Sequence, residues 1–117
     1  MTISIQIEQN ILVLNGKRIK FSHNIRQFKT INDDSVAVLL AVPGNDDTLD
    51  NIYCYFSNGI IKWQVQPLKE AFPELKNVFP FEQMSIIDGK ISATDFYGRK
   101  FLINTDDGKI LSKEIVK

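Results

Sequence analysis

Short runs of alternating apolar residues, separated by Asn-Gly and Asp-Gly pairs, constrain this chain more than any other feature of its sequence. The clearest example is NIYCYFSNGIIKWQVQ, which predicts strands at Asn51–Phe56 and Ile60–Gln66 around a turn at Asn58-Gly59. We expect a type I′ turn there, because Asn and Gly tolerate the positive φ that both central positions require. Apolar side chains fall on both faces of the first strand, which indicates an inner strand of a sheet.

The same pattern extends through most of the chain and predicts about 11 strands, joined by short turns into antiparallel meanders. Ser35–Val42 is apolar throughout, and its Val content, its length and its flanking turn residues favour a buried strand over a helix. Only 67–80 breaks the pattern. Its prolines predict a packed connection with a helical turn or two at Leu68–Phe72. The other predicted strands are Thr2–Glu8, Ile11–Leu14, Lys17–Phe21, Ile25–Asn32, Phe81–Ile87, Lys90–Phe96, Arg99–Thr105 and Lys109–Val116.

The turn glycines indicate an internal repeat within one domain, 1–117. Aligning Gly59 with Gly108 superposes Tyr53 on Leu102 and places one extra residue, as a bulge, in the last strand. The units are 23–66 and 81–117, with four strands each, and a partial unit of three strands at 1–22. Four antiparallel strands in such a length are the size of a propeller blade, and a closed ring needs more blades than this chain has. The sequence therefore predicts an all-β fold, a partial (half) β-propeller arranged as an open stack of sheets or as a sandwich.

Composition excludes several classes of function. Lys plus Arg (14) equals Asp plus Glu (14), so no overall charge favours nucleic acid or an anionic membrane. No apolar run approaches the length of a membrane span, and the first residues lack the pattern of a secretory signal. Cys54 is the only cysteine, so no internal disulfide is expected. We therefore expect a cytoplasmic protein with neither a nucleic-acid nor a membrane partner.

The residues that usually carry catalysis or bind metals are scarce. Cys54 lies inside a strand and is interpreted as a small buried hydrophobe, and His23, the single histidine, is interpreted as a solvated or capping residue. One cysteine and one histidine cannot form a zinc site, and no calcium loop or glycine-rich phosphate loop is present. We expect no enzyme activity, no metal and no cofactor. An enzyme would need polar residues that converge on a pocket, for which the candidates are Asp95, Tyr97, Arg99 and Asp106.

Two groups of residues are candidates for a binding surface. Asp46, Asp47 and Asp50 lie in a polar loop between two strands, where they form either a solvated loop tip or a docking patch for a basic partner. Tyr53 and Tyr55 belong to an aromatic group that is either core or interface, since Tyr and Trp are frequent hot-spot residues. The other members of that group are Trp63, Phe72 and Phe79.

The pattern from Asn51 to Val65 resembles the strand, Asn-Gly turn, strand and Trp-Gln-hydrophobic unit of PQQ-like and related propeller repeats. The same arrangement in a short chain resembles the half-propeller immunity proteins of bacterial contact-dependent and polymorphic toxin systems, one group of which neutralises ribonuclease A-like toxins. The resemblance covers Ile25–Val116 and departs from the pattern at Ser112-Lys113-Glu114, where the tryptophan is missing. No quinone-binding residues are identifiable, so the cofactor part of the comparison does not transfer.

This resemblance implies a protein that inhibits a cognate toxin domain by covering its active site. Nuclease toxins have basic substrate clefts, which the carboxylates of Asp46, Asp47 and Asp50 would complement. The sequence leaves one alternative open, which is a structural module that self-associates through its open sheet.

Overall fold

The computed structural model describes residues 3–115 of the chain. The described residues form eleven β-strands and one short helix, as the sequence predicted, although the predicted strand ends at Thr2 and Val116 lie outside this range. The strands are β1 (Ile5–Glu8), β2 (Ile11–Leu14), β3 (Lys17–Lys20), β4 (Ile25–Ile31), β5 (Ser35–Leu40), β6 (Ile52–Phe56), β7 (Ile61–Gln64), β8 (Phe81–Ile87), β9 (Lys90–Asp95), β10 (Arg99–Ile103) and β11 (Ile110–Ile115).

The strands pair in chain order into three antiparallel sheets. Sheet A contains β1 to β3, sheet B contains β4 to β7, and sheet C contains β8 to β11. The predicted all-β fold of antiparallel meanders, with three, four and four strands, is confirmed. The connection 67–80 contains the helix α1 (Leu68–Ala71), which Pro67 precedes and whose Leu68 is buried. Like the prediction, this connection is packed and mostly irregular.

Sheet B lies between the other two sheets and contributes to two apolar cores. Every residue of β5 is buried, because its side chains alternate between the two faces. Val36 and Val38 pack against Leu12 of sheet A, whereas Ala37 and Leu39 belong to the core shared with sheet C. The interpretation of Ser35–Val42 as a central strand is confirmed for Ser35–Leu40.

Two side chains join sheet B to sheet C through backbone groups. Asn51 is buried, and its Nδ2 donates to the carbonyl oxygens of Leu40 (2.8 Å) and Phe81 (2.9 Å), while its Oδ1 accepts from the Phe81 N–H at 2.8 Å. Trp63 Nε1 donates to the Thr105 carbonyl oxygen at 2.8 Å. The face of the Trp63 indole lies so close to Gly108 that a Cβ there would be 2.6 Å from a ring carbon. These contacts fix the two sheets relative to each other.

The internal repeat is present, but its predicted register is wrong by one residue. Tyr53 pairs with Val38 as Phe101 pairs with Ala93, so Tyr53 corresponds to Phe101 and not to Leu102. The glycine alignment fails because the turn between Tyr55 and Ile61 is one residue shorter than the turn between Ile103 and Ile110.

The extra residue thus lies in a turn. The predicted bulge in the last strand does exist, at Leu111, but sheet B has the same bulge at Lys62. The first strands also share a bulge, at Arg26 in β4 and at Glu82 in β8. These two equivalent residues form an ion pair across the sheets, with the Arg26 Nη1 to Glu82 Oε2 distance at 3.6 Å.

The predicted type I′ turn at Asn58-Gly59 is also wrong. Only Gly59 has positive φ (88°), the Gly59 N–H donates to the Phe56 carbonyl, and the Phe56 N–H donates to the Ile60 carbonyl. This is a three-residue loop that ends on a left-handed glycine, the next most common hairpin connection. Positive φ at both central residues occurs instead at Asn15-Gly16 and Asp88-Gly89.

Candidate protein-binding site

Loops from sheets B and C converge on one groove of about 640 Å³. The loop after β5 forms one wall, and the end of the connection 67–80 together with the turn after β9 forms the other. We call 43–50 the acidic loop and 96–98 the aromatic turn. They are equivalent in the repeat, since each joins the second strand of its sheet to the third. The residues that line the groove are Val42, Pro43, Gly44, Asp46, Asp47, Leu49, Val78, Phe79, Pro80, Glu82, Phe96 and Tyr97.

Asp46 is the structural centre of the acidic loop. Its Oδ1 accepts from the Thr48 N–H at 2.8 Å, and its Oδ2 lies 2.7 Å from His23 Nε2. The other nitrogen of that ring, Nδ1, lies 2.8 Å from Ser22 Oγ. A hydrogen bond with the Thr48 side chain, then one with His23 and one from the Thr48 backbone, lower the pKa of Asp46 to about 2. The Asp46 carboxylate is therefore charged near pH 7. Its bond with His23 fixes the acidic loop to the segment before β4.

The aromatic turn exposes two large apolar side chains. Phe96 is 74% exposed and Tyr97 is 64% exposed. Tyr97 packs against Phe79 with ring centroids 4.8 Å apart, and against Phe96 at 5.6 Å. Exposed aromatic residues next to each other are characteristic of interaction sites, because their solvation costs free energy that a partner can recover.

A buried carboxylate holds the aromatic turn in place. Asp95 Oδ1 accepts from the backbone N–H groups of Tyr97 (3.0 Å) and Arg99 (3.1 Å), and Asp95 Oδ2 accepts from Arg99 Nε at 2.7 Å. Arg99 also donates to the Asn77 carbonyl at 2.7 Å, and its guanidinium lies 5.7 Å from the centroid of the Phe79 ring. The turn is thus fixed before any partner binds, which reduces the entropic cost of binding.

The charge of the groove is negative. Asp46, Asp47 and Glu82 are among its lining residues, and in the described part of the chain none of the residues lining it is a lysine or an arginine. Glu82 Oε2 is buried without a hydrogen-bond partner among residues 3–115, since Arg26 is beyond hydrogen-bond distance at 3.6 Å. A groove with apolar walls and three lining carboxylates suits a partner that presents basic side chains.

The five residues predicted to bind a partner are only partly brought together. Asp46 and Asp47 line the groove, whereas Asp50 lies outside it. Asp50 adopts positive φ (56°), its carbonyl accepts from Gln64 Nε2, and burial, together with the nearby Glu70 carboxylate, raises its pKa. Tyr53 and Tyr55 face sheet A.

Both tyrosines pack on Phe21, with centroid distances of 5.4 Å for Tyr53 and 5.8 Å for Tyr55. They are half-buried members of the core between sheets A and B. Gln64 Nε2 donates to the Tyr53 hydroxyl at 3.2 Å. These contacts give the two side chains a structural role, and their part in partner binding stays a prediction.

Three of the four residues considered for an enzyme do converge. Asp95, Tyr97 and Arg99 form the network that holds the aromatic turn, whereas Asp106 lies in the turn after β10, where its N–H donates to Asn104 Oδ1. Within residues 3–115, no three His, Cys, Asp or Glu side chains are grouped so that they could hold a metal ion. The thiol of Cys54 is buried, as predicted, and burial raises its pKa to about 11.

Phe96 and Glu82 are groove residues that sequence reasoning missed as a binding site, whereas Phe79 belongs to the aromatic group that the sequence left as either core or interface. One signal was present: Phe96 and Tyr97 occupy a short turn between strands, where polar residues and glycine are usual. Their meeting with the acidic loop depends on the packing of sheet B on sheet C, which no local pattern shows.

Comparison with known families assigns the chain to a family but does not assign a function. Residues 2–115 match the family described as Domain of unknown function (DUF7957), and the chain belongs to that family. No curated protein matches it. The longest helix in the described part of the chain has four residues, and no helix there is long and apolar enough to cross a membrane.

Proposed function

We propose that this protein is a non-enzymatic inhibitor, an immunity protein that binds a cognate bacterial toxin domain in the cytoplasm and covers its active site. The groove carries this proposal, because it places two exposed aromatic side chains, Phe96 and Tyr97, beside the carboxylates of Asp46 and Asp47. Aromatic anchors surrounded by charge are the usual composition of a protein–protein hot spot. A nuclease toxin, with a basic substrate cleft, is the partner that this charge fits best.

The arrangement of the sheets is consistent with part of a propeller. Each four-stranded sheet is a meander, consecutive sheets pack face to face, and sheets B and C share bulges at equivalent positions. We regard sheets B and C as two blades and sheet A as a partial one. On this view the groove lies between loops at one end of adjacent blades.

Self-association through the open sheet fits the outer face of sheet C poorly. Ala37, Ile52 and Trp63 of sheet B pack against sheet C, and their equivalents in sheet C are Ser92, Lys100 and Ser112. The face that would continue the stack is therefore polar where the inner face is apolar. Polar outer faces are how stacked repeats end, so we expect a monomer when no partner is bound.

The test uses the protein domain encoded immediately upstream, which the proposal identifies as the toxin. We expect co-expression with this chain to abolish its toxicity and the two purified proteins to form a stable complex. The double substitution Phe96→Ala/Tyr97→Ala should weaken the complex at least about 30-fold, since hot-spot aromatics each contribute roughly 2 kcal/mol. The substitution Ile60→Ala/Ile61→Ala, which truncates two exposed apolar residues outside the groove, serves as the matched control.

A neighbouring domain that is not toxic, or whose toxicity this chain leaves unchanged, would contradict the proposed function. Equal affinity for both double variants would leave inhibition standing but move the interface away from the groove.

A further inference from the structure

Sheet A has one strand fewer than its neighbours, and the repeat shows which one. Gly59, in the last turn of sheet B, lies against Lys17 of β3, as Gly108, in the last turn of sheet C, lies against Trp63 of β7. The strand β3 is thus the equivalent of β7, and β1 is the equivalent of β5. Within residues 3–115, sheet A therefore has no counterpart to β4 and β8, the first strands of sheets B and C, and this fourth position would lie beside β1.

The consequence of this difference is visible at Phe28. Phe28 pairs with Val38 as Met84 pairs with Ala93, so the two residues are equivalent. Met84 is 4% exposed, and its N–H donates to Gln27 Oε1 of β4 at 2.9 Å, whereas Phe28 is 42% exposed. β4 covers Met84, but sheet A has no strand in the position that would cover Phe28.

The edge of β1 faces the same position, and no other strand in the described part of the chain pairs with that edge. The Asn15 N–H donates to the Ser4 carbonyl, so the backbone groups of Ser4, Gln6 and Glu8 point to β2, and those of Ile5 and Ile7 point to the open edge. Bulges and charged residues protect the edges of β4 and β8, at Arg26 and Glu82. β1 has no bulge in its pairing with β2.

We propose that the β1 edge and Phe28 bind an extended segment of a protein partner, which joins sheet A antiparallel to β1 as its fourth strand. This proposal rests on the proposed function only in assuming a protein partner. A second copy of the chain fits badly, because β5 lies under β1 in each copy. Pairing β1 with β1 would bring the second β5 to the place that β4 occupies.

The probe is a synthetic peptide with the sequence of residues 24–32, NIRQFKTIN, because β4 is the strand that covers the equivalent site. We expect this peptide to bind the isotopically labelled protein with a Kd of about 1 mM or tighter. It should shift the amide resonances of Ile5–Glu8 and Phe28. N-methylation tests whether the peptide binds as a β-strand, because methyl groups at alternate residues remove the N–H donors from one edge of the peptide only.

In sheet C, the Met84 N–H points away from the paired strand β9. Phe28 of the peptide is the equivalent of Met84, so the N–H groups of its neighbours Gln27 and Lys29 should point to β1. A peptide N-methylated at these two residues should bind at least about tenfold more weakly. The matched peptide, N-methylated at Phe28 and Thr30, should bind like the unmodified one.

No shift at these resonances at about 1 mM peptide, or equal binding of both methylated peptides, would overturn the proposal. A dimer that forms at high protein concentration with shifts at the same residues would also overturn it in favour of a second copy. Because the peptide assay needs no toxin, these results are independent of whether the groove binds one.

Discussion

The two sheet-to-sheet interfaces of this protein join similar sheets by different means. Between sheets B and C, apolar packing is combined with directional contacts: the Asn51 amide bonds to the backbone of both sheets, and Trp63 bonds to the Thr105 carbonyl. Between sheets A and B, aliphatic residues pack around Phe21, Tyr53 and Tyr55. The hydrogen bonds there lie at the ends of the sheets: Asn15 Nδ2 donates to the Ser57 carbonyl at 2.9 Å, and the Ile25 N–H donates to the Gln9 carbonyl at 2.8 Å. The interface that carries the groove is thus the one fixed by a buried side-chain amide.

The largest effect should come from replacing the amide that joins sheets B and C. Asn51→Leu keeps the branched shape of the side chain but removes the partner of the Phe81 N–H and one donor to each of two carbonyl groups, and it should cost about 3–4 kcal/mol of unfolding free energy. Asn10→Leu is the matched control at sheet A, where a partly buried amide donates to the Phe21 carbonyl. It should cost about 1 kcal/mol.

Urea unfolding of the two asparagine variants measures this difference. Equal destabilisation would mean that the amide that joins sheets B and C contributes no more than an amide whose bond lies within sheet A.

Two glycine substitutions test the contact between the last turn of sheet C and Trp63 of sheet B. Gly108→Ala combines positive φ (75°) with a Cβ placed 2.6 Å from the Trp63 indole, and should cost about 2–3 kcal/mol. Gly16→Ala has a similar φ (86°) but open space around its Cβ, and should cost about 1 kcal/mol. Thermal unfolding separates the two. If Gly108→Ala is no worse than Gly16→Ala, then the contact with Trp63 does not constrain the sheets.

The smallest effect concerns the charge of the acidic loop. The folded pKa of Asp46, about 2, lies below its ordinary value of 3.8. The charged carboxylate therefore contributes stability above about pH 4, and this contribution is lost as the pH falls through about 2. His23→Ala should raise the Asp46 pKa part of the way to its ordinary value. Thr48→Val removes the hydroxyl and keeps the backbone N–H, and it should raise the pKa further, because the side-chain hydrogen bond of Thr48 is the largest cause.

A carbon-detected NMR titration of the Asp46 carboxyl group measures both shifts. A pKa that stays near 2 in both variants would show that these hydrogen bonds do not hold the charge.

The sequence predicts what local patterns determine, and it fails where distant segments meet. Alternation and turn residues located the strands and the central position of Ser35–Leu40. The register between repeats was missed because one turn is a residue longer, which glycine positions alone do not reveal. Asn51 looked like an ordinary strand end, since its role appears only when Phe81 lies beside it.

The sequence also predicts only the part of the candidate site that lies within one loop. Asp46 and Asp47 stood out because the acidic loop is longer than the turn that replaces it in sheet C. Tyr53 and Tyr55 are candidates from residue type alone, which leaves core or interface open, and the structure packs both on Phe21 between sheets A and B. Glu82 reaches the groove from a bulge that depends on strand pairing.

The salt dependence of association measures whether the carboxylates of the groove attract a basic protein surface, as proposed. The measurement is the association rate constant with the proposed toxin domain between low and physiological ionic strength, for Asp46→Asn/Asp47→Asn and for the control Asp33→Asn/Asp34→Asn. The control removes equal charge from the turn between β4 and β5, outside the groove. We expect the groove variant to associate about tenfold more slowly at low salt with a flatter salt dependence, and the control to resemble the unmodified protein. Equal rates and equal salt dependence for both variants would contradict the account.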